Sequence, residues 1–99
     1  MLNINKTIEN GKAVLNLEGR LDTLTAPKLE NTVKELLPGL TELTLDLETL
    51  EYISSAGLRV LLSTQKAMNA KGTMKVCHAN ETVMEIFEVT GFSDILTIA

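Results

Sequence analysis

Residues 50–63 read LEYISSAGLRVLLS, and the fold turns on the four small residues Ser54, Ser55, Ala56 and Gly57. A buried strand favours branched or aromatic side chains, and glycine inside a helix costs about 0.5–1 kcal/mol relative to alanine. Four small residues together therefore mark a sharp change of direction, or a place where something approaches the backbone closely. Upstream, LTELTLDL (40–47) alternates cleanly and places Leu43, Leu45 and Leu47 on one face of a strand. Downstream, Leu58, Leu61, Leu62, Gln65 and Met68 recur at helical spacing, with Arg59, Ser63 and Lys66 on the outer side. The stretch reads as a strand–turn–helix junction, with both serines at the helix start.

Working outward, Leu2, Ile4 and Ile8 alternate with polar residues, and Asn10-Gly11 is a strong hairpin signal. Ala13, Leu15 and Leu17 then take one face of a second strand. Ala26, Leu29, Val33, Leu36 and Leu37 fall on one helical arc, with Thr25 as the expected cap, Pro27 in the first turn and Pro38-Gly39 as the stop. Beyond the second helix, Lys71 and Gly72 are stop signals, and TMKVC (73–77) is a short strand. Asn80 is placed to cap a third helix carrying Val83, Ile86, Phe87 and Thr90 inward, and Gly91 ends it. ILTI (95–98) closes the chain as a strand or a packed tail. The order β-β-α-β-α-β-α-(β) predicts an α/β domain over residues 1–99. Its sheet of four to five strands is mixed and mainly parallel, and three to four helices cover one or both faces.

At 99 residues the chain can bury roughly 65% of its unfolded surface. Three aromatic residues, Tyr52, Phe87 and Phe92, leave Leu, Ile and Val to build the core. Cys77 stands alone, which excludes an internal disulfide and a cysteine zinc cluster and favours a reducing setting. No secretion signal or spanning apolar run is visible, so a cytoplasmic protein without membrane insertion is expected. The formal charge of −4, with no Lys/Arg cluster, argues against nucleic acid as a direct ligand.

The serines sit where ligands gather in open α/β folds, at the carboxyl edge of the sheet and at a helix N-terminus. One reading makes them an ordinary cap and turn. The sharper reading has a hydroxyl there modified by, or in contact with, phosphate. A nucleophile elbow is absent, since Tyr52 and Ile53 stand where G-x-S-x-G needs glycine. His78, the single histidine, reads as a surface or turn residue at a strand end, and Cys77 as core packing. Asp46 and Glu48 are explained by alternation. No phosphate loop and no acidic cluster with metal-ligand spacing occurs, so no cofactor, no metal and no enzyme activity are expected.

GRLDTLTAPKLE (19–30), LTLDLETLEYISSAGLRVLL (43–62) and VMEIFEVTGF (83–92) resemble the STAS domain, with the nearest likeness to stand-alone bacterial anti-sigma factor antagonists. The resemblance spans nearly the whole chain in order. It implies a mixed sheet with helices mainly on one side, and a partner-switching role. The unmodified protein would sequester an anti-sigma factor that is itself a serine kinase, freeing a sigma factor for transcription. Phosphorylation would release the partner, and a serine phosphatase would reset the cycle. By position the resemblance makes Ser55 the phosphoacceptor and Asp22 the acidic residue near it. The implied partner surface comprises Asp22, Thr23, Ser54, Ser55, Ala56, Gly57 and Arg59. The family often has aspartate immediately before the acceptor; here Ser54 stands there and becomes a rival acceptor. An alternative keeps the chain as a non-switched STAS subunit or scaffold in a transporter-associated or multiprotein signalling complex.

Overall fold

A computed structural model describes residues 1–99. Strands β1 (Leu2–Glu9) and β2 (Lys12–Leu21) form an antiparallel hairpin. Asn10 (φ 50°) and Gly11 (φ 81°) both take the left-handed conformation that a tight two-residue turn requires. Helix α1 (Ala26–Leu36) runs into a 3₁₀ turn at Leu37–Gly39, and β3 (Glu42–Asp46), β4 (Leu50–Ile53) and α2 (Ser55–Asn69) follow. Strand β5 (Thr73–Cys77), helix α3 (Glu81–Thr90) and a 3₁₀ turn at Phe92–Asp94 complete the fold. The tail adds one parallel bridge, Val76 to Ile98. No helix is long and apolar enough to cross a membrane.

The sheet runs β1-β2-β3-β5, with β4 also on β2, and every pairing except β1–β2 is parallel. Alternation divides its two faces. Ala13, Leu15, Leu17, Leu43, Leu45, Met74 and Val76 are buried beneath the helices. Their alternates Val14, Asn16, Thr44 and Lys75 lie on the open face, half-buried or exposed. The helices therefore pack on one side. Helix α2 contributes Leu58, Val60, Leu61, Thr64, Gln65 and Met68 to the core. Full burial of a leucine or methionine side chain stabilises by about 1.5–3 kcal/mol, so this face holds α2 down.

The strand before the serines needs correction. It divides in two, and both pieces pair with β2. Asn16 faces Asp46, whereas Arg20 faces Tyr52, so two extra residues accumulate on the β3–β4 side. The Gly19 N–H reaches the Thr49 carbonyl, while the next N–H, of Arg20, turns to Met1 on the β1 side. β4 thus continues along the edge that β3 leaves, and the serines follow the fourth strand, not the third. Two further expectations fail locally. Thr25 does not cap α1 with its side chain, and Thr90 is exposed with its hydroxyl donating to the Ile86 carbonyl.

Candidate functional site

The last β2–β4 pair is Leu21↔Ile53, and the Ser54 N–H donates to the Leu21 carbonyl at 2.8 Å. Asp22 and Ser54 therefore leave the sheet side by side. Ser54 is extended (φ −98°, ψ 176°), and its hydroxyl accepts from the Gly57 N–H at 3.4 Å, a long cap. Its carbonyl takes the first helical hydrogen bond, from Leu58. The two serines thus part company. Ser54 is half-buried and serves as the cap, whereas Ser55 is the first helical residue and is exposed.

The N–H groups of Ser55 and Ala56 have no helical partner, as at any helix start. No acidic residue occupies the first turn of α2. The positive end of a 15-residue helix is consequently open to an anion on or beside Ser55. Arg59 is exposed one turn further along, in i, i+4 relation to Ser55. Arg20 is less free, because its guanidinium stacks 4.9 Å from the Tyr52 ring on the open face.

Gly57 is buried, and its missing side chain faces inward. A Cβ there would lie 2.7 Å from Leu21 Cγ and 2.9 Å from Ile53 Cγ1. The close approach inferred from sequence is real, but its cause is the protein's own core. Gly57 touches no outer surface; it seats the start of α2 against β2 and β4.

The loop after β2 is organised by Asp22. Its Oδ1 accepts from the Leu24 N–H (3.0 Å) and the Thr25 N–H (3.1 Å), and lies 3.2 Å from the Thr25 hydroxyl. That hydroxyl accepts from the Asp22 N–H and donates to the Arg20 carbonyl, both at 2.8 Å. Partial burial works to raise the Asp22 pKa. The bonds from the Thr25 backbone, the Thr25 side chain and the Leu24 backbone outweigh it and hold the carboxyl below its ordinary value. Asp22 is thus a loop-forming residue as well as a charge near the serines.

This loop presents Thr23 and Leu24 to solvent, and Leu24 is 90% exposed. Beside it, Thr23, Ala26, Pro27, Ala56, Arg59 and Ser63 line a shallow groove between α1 and α2. Thr23, Ala56 and Arg59 therefore meet on one surface next to Ser55. Leu24 did not emerge from the sequence as a surface residue. The signal was present, since Leu24 falls off the odd-numbered alternation of Leu15, Leu17 and Leu21 and precedes the helical arc begun by Ala26.

A second group meets on the same sheet edge. His78 Nδ1 lies 3.1 Å from Asp46 Oδ1, and Cys77 stands beside them. Cys77 is half-buried at the end of β5, not inside the core as its apolar strand suggested. Burial, and then the Asp46 charge, push its thiol pKa up. Neither serine hydrogen-bonds to His78, so a Ser-His-acid set does not assemble.

A protein-family model described as Mlab, STAS domain, matches residues 4–97. The chain is 35% identical over 92 residues to BtrV of Bordetella bronchiseptica, a proposed anti-sigma factor antagonist, covering 91% of this chain and 79% of BtrV. It is 27% identical over 99 residues to an anti-sigma-B factor antagonist of Staphylococcus aureus, covering 98% and 92% of the two chains. The crystal structure of an anti-sigma factor antagonist from Mycobacterium paratuberculosis superposes with a TM-score of 0.89 at 21% identity, over 99% of this chain and 85% of that one. At that identity the last likeness bears on fold alone.

Proposed function

We propose that this chain, which belongs to the STAS domain family, acts as an anti-sigma factor antagonist whose grip on an anti-sigma factor is set by phosphate on Ser55. Relatives named as anti-sigma factor antagonists match the chain over nearly its full length. One observation supports Ser55 over its neighbour. Ser54 spends its hydroxyl on the helix cap and is half-buried, whereas Ser55 is exposed on a helix start with no acid in its first turn.

In the unmodified form, the partner packs on small side chains, Ser55 and Ala56, flanked by the exposed Leu24 and the groove beside it. Phosphorylation adds about 1.5–2 negative charges, taking the formal charge from −4 to about −6. Within the chain the phosphate is tolerated. The free N–H groups of Ser55 and Ala56, the helix dipole and Arg59 all favour it, at about 0.3–1 kcal/mol for the dipole alone. At the interface the same dianion must be desolvated where a hydroxyl had been, a cost of several kcal/mol without a cation opposite. The binding equilibrium therefore moves far more than the fold does. The kinase that adds the phosphate is the anti-sigma factor itself, and a serine phosphatase removes it. Asp22, Thr23 and Arg59 belong to the contact surface, and Gly57 supports it from below.

The test is direct. The chain is incubated with ATP and an anti-sigma factor kinase from its own organism, and the modified residue is mapped by mass spectrometry. Ser55 is the expected site, and modification of Ser54 alone would refute the assignment. Calorimetric titration should then find binding retained in Ser55→Ala and weakened about 100-fold or more in Ser55→Asp, about 2.8 kcal/mol. Equal affinities would favour the non-switched scaffold.

A further inference from the structure

We infer that Asp46, Cys77 and His78 form a binding site for a borderline transition-metal dication such as Zn²⁺, separate from the Ser55 surface. The sheet register makes the site. Asp46 and Cys77 are Cα partners at the ends of β3 and β5, and the Leu47 N–H bonds the Cys77 carbonyl at 2.9 Å, which locks the two strand ends together. His78 then takes a left-handed conformation, φ 59°, which a non-glycine residue adopts at a cost. That conformation brings its ring against the Asp46 carboxylate. One donor atom from each of the three residues lies within 4.8 Å of the others.

The chemistry of the set selects its ligand. A thiolate, an imidazole and a carboxylate suit zinc and its neighbours, whereas magnesium and calcium require oxygen donors throughout. Metal–ligand bonds of about 2.0–2.3 Å at tetrahedral angles place donor atoms roughly 3.3–3.8 Å apart. The Nδ1–Oδ1 separation of 3.1 Å is already near that span. The other donor separations, all within 4.8 Å, need side-chain movements of no more than about 1.5 Å to reach it. The carboxylate is also held from behind. Asn16 Nδ2 donates to Asp46 Oδ2 at 3.2 Å, and the Glu48 N–H donates to Oδ1 at 3.0 Å. Such outer contacts orient a ligand before the metal arrives. His78 is 62% exposed on its side chain, so the fourth coordination position faces solvent. Binding replaces the Cys77 thiol proton, which leaves to solvent, while His78 ligates through Nδ1 as the neutral imidazole with its one ring proton on Nε2.

The plain alternative is a surface His–Asp pair beside an unrelated thiol. Titration of the full chain with Zn²⁺ and with Co²⁺ separates the two. The metal site predicts a Zn²⁺-dependent rise in melting temperature and a one-to-one Co²⁺ complex with thiolate-to-metal charge-transfer absorption. Cys77→Ser should abolish that absorption and weaken Zn²⁺ by tenfold or more. Asn16→Ala, which leaves all three ligands in place, should weaken it by about tenfold. His78→Gly relieves the left-handed strain, so the metal-free protein should melt no lower than wild type while the Zn²⁺-dependent rise is lost. Absence of both signals in the wild type, or Zn²⁺ affinity unchanged in Cys77→Ser and His78→Gly, would overturn the inference. So would an equal rise with Mg²⁺.

Discussion

Helices α2 and α3 begin in nearly the same way and differ in what their first turns leave open. Each follows an extended capping residue, Ser54 (φ −98°, ψ 176°) or Asn80 (φ −73°, ψ 173°), whose side chain accepts the N–H of the third helical residue. At α3 the cap is tight, 2.8 Å to Val83, and Asn80 also donates to the Leu50 carbonyl. At α2 the cap is loose, 3.4 Å to Gly57. The first helical residue of α3 is Glu81, which meets the positive end of the dipole, whereas that of α2 is the neutral Ser55. The third residue of α3 is a fully buried valine, and that of α2 is a glycine pressed against Leu21 and Ile53. One start is finished; the other is left weakly capped, electrostatically vacant and close to the sheet. A vacant start leaves room for the phosphate proposed on Ser55.

The sharpest way to break this comparison is to give α2 the third residue of α3. Gly57→Val forces a branched side chain into atoms already under 3.0 Å from its Cβ, and should destabilise by about 1–3 kcal/mol. Thermal melting reads the loss, and partner affinity should fall with it because the serines move with the helix start. An unchanged melting temperature would mean that α2 can lift off the sheet freely.

The caps offer a finer contrast. Asn80→Ala removes a short bond and strands the Leu50 carbonyl, at a cost of about 1–2 kcal/mol, whereas Ser54→Ala should cost about 0.5 kcal/mol. Denaturant unfolding of both variants decides, and equal losses would show that the 3.4 Å cap is as strong as the 2.8 Å one.

The dipole effects are smaller than the loss of the Asn80 cap, and they carry opposite signs. Glu81→Gln should destabilise by about 0.3–1 kcal/mol at low salt, and Ser55→Asp should stabilise the free protein by a similar amount. Both differences should shrink in salt. Ser55→Asp would thus strengthen the fold while weakening the complex, a combination that a merely damaged helix cannot produce.

The smallest effect belongs to Asp22. Its folded carboxyl pKa lies below the ordinary value, so its stabilisation is present above the unfolded value of about 3.9 and is lost as pH falls through the lower folded one. The stability difference between wild type and Asp22→Asn should therefore be seen at neutral pH and vanish in acid. A difference that grows toward low pH would reverse the assignment.

Much of this was legible beforehand because it depends on local chemistry. Alternation of Ala13, Leu15, Leu17, Leu43 and Leu45 determined which sheet face is buried, and helical spacing from Leu58 to Met68 determined the inner face of α2. Asn10-Gly11, Pro38-Gly39, Asn80 and Gly91 set element ends through backbone preferences that neighbours scarcely alter. The small residues at 54–57 marked the junction between a strand and α2. What only the tertiary structure decided is how separate segments meet. The strand before the serines divides because β2 must be matched twice, and a two-residue slip is invisible to a pattern of period two. Ser54, not Ser55, became the cap because the Leu21 carbonyl holds its backbone extended. Gly57 is small because Leu21 and Ile53 lie beneath it, and no sequence pattern lists neighbours. Asp46 reached Cys77 and His78 only because β3 and β5 are adjacent in register. Single side chains and short spacings write themselves into sequence, whereas contacts closed across the sheet exist only once the chain has folded.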